Sequence, residues 1–474
     1  MSQKPLVVDL DGTLTYTDLL YESTLIFLRQ HPLQFWKLLW WLIHGGKIHL
    51  KTQLLPYAPK DMDLLPYHLP FLDWLKKEKS TGRRIILCTA SHLDLAKQVA
   101  KTIGIFDDVI ASQELTNLAG KKKASLLVQN FGEKGFDYAG NSTTDMAVWK
   151  HANQVIVVNA SCRLLKKLQK TFKVNDVFER PNNTLSNYWR LLRPHQWLKN
   201  ILLLVPLLAA HQLPNSQNFF LFLLALISFC LCASSVYILN DLLDIENDRH
   251  HPTKSKRPLA SGQVEIVKAG LLCTVLFLSS LGLAALVTPM FFLSLCTYGV
   301  LTTCYSFKLK RLLLIDCVCL ALLYTLRIVA GSTVSSIPLS FWLLAFSVFL
   351  FLSLGFLKRY TELFLYQQSE KKSLSGRAYL TSDLPLIQQF GITSGYLAVL
   401  VLAFYLNSQD VVRLYTQPMW MWLGALITLF WISWMWIQGH RGLMHDDPVI
   451  FALKNRVSQW CGVLFVLTML LGSV

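Results

Sequence analysis

A soluble α/β domain followed by an all-α bundle of membrane-spanning helices is the fold class this sequence predicts, and three observations predict it. The chain of 474 residues is 53% hydrophobic and only 16% charged, with a mean hydropathy of +0.39, too apolar for an ordinary soluble domain. The first half mixes short apolar runs with charged stretches, and the second is a succession of long apolar segments. In the first half PLVVDL (5–10), GRRIILCTA (82–90), FDYAG (136–140) and QVIVVN (154–159) read as buried parallel strands, with helical LDLAKQVAKTIG (93–104) between them. The patterning changes within NDVFERPNNTLSNYWRLLRPHQ, which places domains at 1–185 and 186–474.

Nine apolar segments have the length of bilayer spans or nearly so: 198–213, 219–239, 268–287, 289–305, 313–333, 339–357, 390–406, 419–437 and 457–474. The first is short and broken by proline. With the first half in the cytoplasm, the inside loops carry Arg249, Lys254, Lys256, Arg257, Lys308, Lys310, Arg311, Lys358, Arg359, Lys371, Lys372, Arg377, Arg441, Lys454 and Arg456. The outside loops carry Arg413 alone. This asymmetry follows the positive-inside rule and predicts an inner or plasma membrane protein with its C-terminus outside. The net charge of +16 is thereby accounted for without a nucleic-acid partner. The ten cysteines form no C-x-x-C pair, so neither a zinc site nor a disulfide scaffold is indicated. A strand-like run with acidic residues opens the chain, which does not read as a secretory signal. FWKLLWWLIHGG (35–46) is too short to span. Two readings stay open for it: a buried helix of a cap domain, or an interfacial helix holding the soluble domain against the bilayer.

DLDGTL (9–14) follows the first strand directly. Two carboxylates two residues apart share one side of the turn. One can attack a phosphorus while the other donates and accepts a proton, and both can help hold Mg2+ through oxygen. Thr89 ends RRIILCT, where a hydroxyl can bind a phosphoryl oxygen. GKKKASLL brings Lys123 to a helix start, with Lys121 and Lys122 competing for that role, and YAGNSTTD follows another strand with Asn141 and Asp145. This order and spacing resemble the haloacid dehalogenase superfamily over nearly the whole first half. The resemblance implies a Rossmannoid parallel sheet with a helical cap. It implies Asp9 as nucleophile forming an aspartyl-phosphate and Asp11 as general acid and base. Thr89 and Lys123 would be phosphate ligands, with Asn141 and Asp145 around Mg2+. Asn141 stands where an aspartate is common in that family and offers oxygen with less charge.

NDLLDIENDRHHPTKSKRP (240–258) begins as a greasy run ends. Asp241, Asp244 and Asp248, spaced i, i+3, i+7, share a face if helical, and Asn240 can add a carbonyl ligand. Three such carboxylates repel unless cations neutralise them, and Mg2+ suits oxygen donors and phosphates. Lys254, Lys256 and Arg257 suit the remaining charge of a diphosphate. This stretch with HPTKSKRPLASG, and YSFKLKR (305–311) with Lys308 and Lys310, resembles the UbiA superfamily of intramembrane prenyltransferases over 186–474. The resemblance implies a nine-helix bundle whose Asp-rich cluster holds Mg2+ and a diphosphate, the leaving group, at the cytosolic mouth of an apolar cavity.

The second Asp-rich motif of the aromatic prenyltransferases is absent; LKRYTEL (357–363) offers Lys358, Arg359 and Glu362 instead, a cationic pair suited to an additional phosphate. Arg327, inside LYTLRIVAG (323–331), needs an anionic partner; pairing with Asp316, three turns below, is its structural alternative. MHDDP (444–448) adds carboxylates, or simply caps the last helix. With LRPHQWLKN (192–200), these features resemble the polyprenyl-phosphate phosphoribosyltransferase branch. That resemblance implies phosphoribosyl pyrophosphate as donor and a polyprenyl phosphate as acceptor. Transfer would leave a 5′-phosphate monoester that the Asp9 site can remove, giving polyprenylphosphoryl ribose. An aromatic prenyltransferase fused to a separate phosphatase, and a membrane-anchored phosphatase whose second half only binds lipid, are the alternatives. Chain length of the lipid and oligomeric state are not legible.

Overall fold

The computed structural model describes residues 3–113, 117–180, 185–211, 216–251, 253–368, 377–408, 411, 415–444 and 447–473. It divides into two compact units: Met1–Leu191 with Asn240–Leu271, and Leu192–Leu239 with Leu272–Val474. The Asp-rich segment, expected to belong to the membrane half, thus groups with the first unit.

In the first unit six strands, β1 (Leu6–Val8), β2 (Ile85–His92), β3 (Asp108–Ser112), β4 (Asp137–Gly140), β5 (Val155–Val158) and β6 (Val174–Phe178), form one sheet. Its order is β3-β2-β1-β4-β5-β6, and every neighbouring pair is parallel. Alternate residues of each strand feed opposite cores. Leu6, Val8, Leu87, Ala139 and Ile156 enter one, and Val7, Ile86, Tyr138, Val157 and the helix residues Leu127 and Trp149 enter the other. A sheet covered on both faces gives the near-continuous apolar runs seen in the sequence. Chain order reverses between β1 and β4, so a crevice opens at the strands' carboxyl ends there, and Asp9 follows β1 at that point. The helix Leu19–Gln30 comes next, capped by Asp18, then Trp36–Leu54, which is interrupted at Gly46 with φ 65°.

In the described residues of the chain eight helices are long and apolar enough to cross a membrane: Phe219–Leu243, Ile266–Ala285, Pro289–Phe307, Ile315–Ser335, Phe341–Gln367, Thr381–Leu406, Pro418–His440 and Arg456–Ser473. Nine were expected. The segment begun at residue 198 is instead a 3-10 run, Pro194–Leu204, followed by a short α-helix, Val205–Ala209. Pro194 and Pro206, each near the start of its piece, remove backbone donors and divide it. Glycines let the bundle pack closely: a Cβ on Gly331 would stand 2.0 Å from the Leu203 carbonyl oxygen, and one on Gly391 2.0 Å from the Trp436 ring.

Candidate functional sites

The crevice beside β1 gathers the first set of expected residues. Lys123, on the first turn of the helix Lys121–Phe131, donates from Nζ to Asp9 Oδ1 at 2.7 Å, to the Cys88 carbonyl at 3.1 Å and to Tyr138 Oη at 3.0 Å. Asp11 Oδ2 accepts from Ser91 Oγ at 2.5 Å and from Thr89 Oγ1 at 3.3 Å, and its Oδ1 accepts from the Leu19 backbone N–H at 3.0 Å. Burial, then the neighbouring Asp145 and Asp11 charges, push Asp9 up to about 7 against the pull of Lys123. Burial and the charge of Asp18 push Asp11 up to about 6. Burial works against the Lys123 ammonium, but Asp9 leads the charges that outweigh it and raise its pKa.

Asp145 is occupied differently. Its Oδ2 accepts from the Asn141 and Ser142 backbone N–H groups at 3.2 and 2.9 Å and from Ser142 Oγ at 2.7 Å, and its Oδ1 accepts from Tyr138 Oη at 2.8 Å. It therefore braces the turn after β4. The Asn141 amide lies so close to Gly12 that a Cβ there would meet Nδ2 at 2.0 Å, and only a glycine, at φ 75°, leaves this room. Ser91 and Tyr138 were missed by the sequence reading; the serine two residues past Thr89 was its only signal. Among the described residues no three His, Cys, Asp or Glu side chains gather closely enough to hold a metal unaided. Mg2+ takes one or two protein carboxylates with substrate phosphate, and the oxygen donors of Asp9 and Asp11, with one ammonium, Lys123, on Asp9, fit that demand.

The Asp-rich segment does not lie on one helix. The helix from Ser216 ends at Leu243, Asp244 leaves helical geometry at φ −104° and ψ 10°, and a short helix, Ile245–Arg249, follows. Asp241 and Asp248 still converge: Arg257 Nη1 donates to both, at 3.1 and 2.7 Å. Burial pushes Asp248 up to about 6 although Arg257 opposes it. Arg257, expected to meet a diphosphate, here neutralises the carboxylates. Asn240, Asp244 and Lys254 are half-buried in the same segment. Asp241 and Asp248 are hard oxygen donors that fit Mg2+ in chemistry. The segment is gripped from the first unit's own helix Leu19–Gln30. Arg249 makes two bonds to the Glu22 carboxylate, at 2.8 and 2.6 Å, with both side chains nearly solvent-free. Arg29 pairs with Glu246 at 3.0 Å. Arg180 pairs with Glu265 at 2.9 Å and donates to the Gly262 carbonyl at 2.5 Å.

Within the bundle, Asp447 accepts from Lys199 Nζ and Lys358 Nζ, each at 2.8 Å, and from Tyr324 Oη at 3.0 Å. Its Oδ1 also caps the short helix Pro448–Lys454 through the Val449 N–H at 3.2 Å, so it caps a helix, but not the expected one, the last span Arg456–Ser473; His445 and Asp446 lie outside the described residues. Burial opposes ionisation of Asp447, but the two lysines outweigh it and hold the carboxyl well below its ordinary range. Arg327 does not pair with Asp316. It donates to Asn200 Oδ1 at 3.0 Å, Tyr298 Oη at 2.8 Å and the Leu323 carbonyl at 2.6 Å. The Tyr298 ring lies beneath it, 4.8 Å from centroid to guanidinium carbon. Asp316 instead accepts from Arg359 at 2.6 Å and Arg377 at 3.4 Å and is bonded by Tyr379.

Arg359 also bonds Glu362 and is fully buried, so it serves the core rather than an open phosphate site. Lys358 and Arg359 are thus not the expected pair: each faces a different carboxylate. Lys310 is buried and Lys308 exposed. Lys199 was missed, although a lysine inside an apolar segment was the signal.

Comparison with known proteins matches residues 201–470 to the UbiA prenyltransferase family. The uncharacterized protein y4nM of Sinorhizobium fredii is 33% identical over 97% of this chain and 89% of its own length, across both halves. The decaprenyl-phosphate phosphoribosyltransferase of Mycolicibacterium smegmatis is 31% identical over 60% of this chain and 93% of its own. Among solved structures, a UbiA homolog from Archaeoglobus fulgidus bound to GPP and Mg2+ is similar at 18% identity and a TM-score of 0.46, covering 60% of this chain and 98% of that one. Eight apolar helices and a family match over more than half of the sequence make this an integral membrane protein, and the chain belongs to the UbiA prenyltransferase family.

Proposed function

We propose that the chain is a bifunctional enzyme that transfers 5-phosphoribose from phosphoribosyl pyrophosphate to a polyprenyl phosphate and then removes the 5′-phosphate. The observation that carries the reading is the presence, in one chain, of an Asp9–Lys123–Asp11 constellation suited to phosphate, with Asp9 and Lys123 buried, and a UbiA half similar to decaprenyl-phosphate phosphoribosyltransferases. Phosphoribosyl transfer leaves a phosphate monoester for the first site to hydrolyse, whereas prenylation of an aromatic ring leaves none.

In the transfer step a lipid phosphate oxygen attacks the anomeric carbon, whose bond to the pyrophosphate breaks. Asp241 and Asp248, with Asp244 in the same segment, would supply carboxylates to Mg2+, which would offset charge developing on the departing pyrophosphate. Lys199, Lys358 and Arg327 supply fixed positive charge for phosphate groups. In the hydrolytic step Asp9 attacks the phosphorus and the bond to the ribose 5′-oxygen breaks, with Asp11 donating the proton to that oxygen. Asp11 then takes a proton from the water that cleaves the aspartyl-phosphate. A carboxyl pushed up to about 6 is poised closer to neutral pH than an ordinary aspartate for giving and taking that proton. Lys123 fixes Asp9 and stabilises charge on the phosphoryl oxygens, while Asn141 and Asp145 would complete the surroundings of Mg2+ at Asp9 and Asp11. The first unit would face the cytoplasm.

The test is incubation of the detergent-purified chain with Mg2+, a polyprenyl phosphate and ribose-labelled phosphoribosyl pyrophosphate, resolving lipid products by mass. Wild type yields labelled ribose lipid, Asp9→Asn accumulates its 5′-phosphorylated form, and Asp241→Asn labels no lipid. Consumption of an aromatic acceptor, with no label in lipid under any condition, would overturn the reading.

A further inference from the structure

The helix Trp36–Leu54 is apolar on two opposite faces. One is used: Trp41 packs on Phe27, with ring centroids 5.2 Å apart, in a small core with Leu54, Leu38 and Leu50. The other is bare. Trp36, Leu39, Trp40 and Ile43 are 53, 62, 48 and 69% exposed. Their i, i+3, i+4, i+7 spacing makes one stripe, and Leu33 and Phe35, 87 and 64% exposed, extend it. The stretch from Trp36 to the break at Gly46 is about 15 Å long at about 1.5 Å per residue, half of what a hydrocarbon core requires. It can therefore lie along a membrane but not through it.

The charge around the stripe is one-sided: from His31 to Lys60 there is no aspartate or glutamate, while Lys37, Lys47, Lys51 and Lys60 are all basic. Indole rings set among lysines are the composition of segments that rest among lipid headgroups, and spans of the same chain keep a bilayer within reach. We infer that residues 33–43 form an interfacial anchor that lies in the headgroup layer of a phospholipid bilayer, with Trp36, Leu39, Trp40 and Ile43 as its buried edge.

The anchor also leads to the phosphatase crevice. Past the Gly46 break the second helical piece carries Lys51, whose Nζ donates to the Ala90 carbonyl at 2.5 Å. Ala90 adjoins Ser91, whose hydroxyl holds Asp11 at 2.5 Å. Two helical pieces joined at Gly46 thus connect a lipid-facing stripe to the strand end that holds the proposed acid and base. That suits a phosphomonoester carried on a lipid; this consequence rests on the function proposed above, and the anchor itself does not.

The full chain is placed in nanodiscs with brominated acyl chains, and Trp emission is compared between wild type and the Trp36→Phe/Trp40→Phe variant. The proposal expects the emission lost in the variant to be the bromine-quenched, acrylamide-resistant part. Lost emission that acrylamide quenches and bromine does not would put both rings in water and overturn it. Lost emission resistant to both would put them under protein, a second copy or the chain's own helices, and overturn it equally. The readout needs no turnover, so it stands apart from any failure of the transferase reading.

Discussion

Buried Lys199 and partly exposed Lys358 set two lysines against the one buried carboxylate of Asp447, and buried Arg327 draws on Asn200, Tyr298 and a carbonyl, all neutral. Such a surplus of buried positive charge calls for an anion. Lys199→Met leaves Asp447 still paired with Lys358, so stability changes little. If Lys199 binds a substrate phosphate, the lost charged hydrogen bond, about 1.5–3 kcal/mol, lowers phosphoribosyl transfer roughly tenfold to a hundredfold, measured as kcat/KM in detergent. Arg359→Gln behaves in the opposite way. It removes the nearest cation from Asp316 and Glu362 and leaves both to Arg377, at 3.4 and 3.6 Å, costing up to about 3 kcal/mol, read as a lower unfolding temperature whether or not substrate is present. The sequence made Lys358 and Arg359 a pair because they are adjacent. Consecutive helical residues point roughly 100° apart, so adjacency separated them, and Lys199 found Lys358 from more than 150 residues away. Asp9, Asp11 and Lys123 were legible because they follow a strand end or start a helix, where local pattern and position coincide; Thr89, expected at a strand end, lies inside β2, which continues to His92.

At the level of elements, the legible pieces were those with a period: β1, β2, β4, β5 and the eight spans. The edge strands β3 and β6 escaped because β3 buries only its last two residues and β6 buries none, so neither has the continuous apolar run of a central strand. The 3-10 run Pro194–Leu204 has a span's composition without its hydrogen bonding, and it carries Lys199 and Asn200. Gly331 holds it close. A methyl group there would meet backbone at 2.0 Å, which no side-chain rotamer relieves. Gly331→Ala is therefore expected to cost about 1–3 kcal/mol and to lower transfer by displacing Lys199, whereas Gly282→Ala, with nothing near its Cβ, leaves both unchanged. A second element-level prediction concerns the grip of the helix Leu19–Gln30 on the Asp-rich segment. Glu22→Gln leaves Arg249 buried without its charge partner, so proteolysis within 250–262 accelerates and Asp241-dependent transfer falls. The exchange Glu22→Arg with Arg249→Glu recovers part of the loss, and the coupling in this cycle should lie within about 0.5–3 kcal/mol. If the single and exchanged variants behave alike, the ion pair does not position the segment.

For the whole molecule, composition and patterning disclosed two halves but not that Asn240–Leu271 groups with the first. The ion pairs that place it there join residues distant in sequence, two of them more than 200 apart, Glu22 to Arg249 and Arg29 to Glu246, and leave no local signature. The grouping puts the transferase's proposed metal-binding carboxylates and the phosphatase's proposed nucleophile in one compact unit, so both steps depend on its folding. It does not require the intermediate to pass directly from one site to the other, because a lipid-linked phosphomonoester diffuses in the plane of the membrane. Asp9→Asn and Asp241→Asn therefore complement when reconstituted into the same vesicles: one makes the phosphorylated lipid and the other dephosphorylates it. The same variants in separate vesicles form no final product, since a long polyprenyl tail does not leave its bilayer on the time scale of turnover. In wild type, tethering raises the second site's effective concentration, so the intermediate's steady-state level falls below that of the mixed variants at equal total protein. Equal levels would mean that the linkage contributes nothing beyond co-expression. No complementation within shared vesicles would mean that each chain's two sites work only on an intermediate that never leaves it.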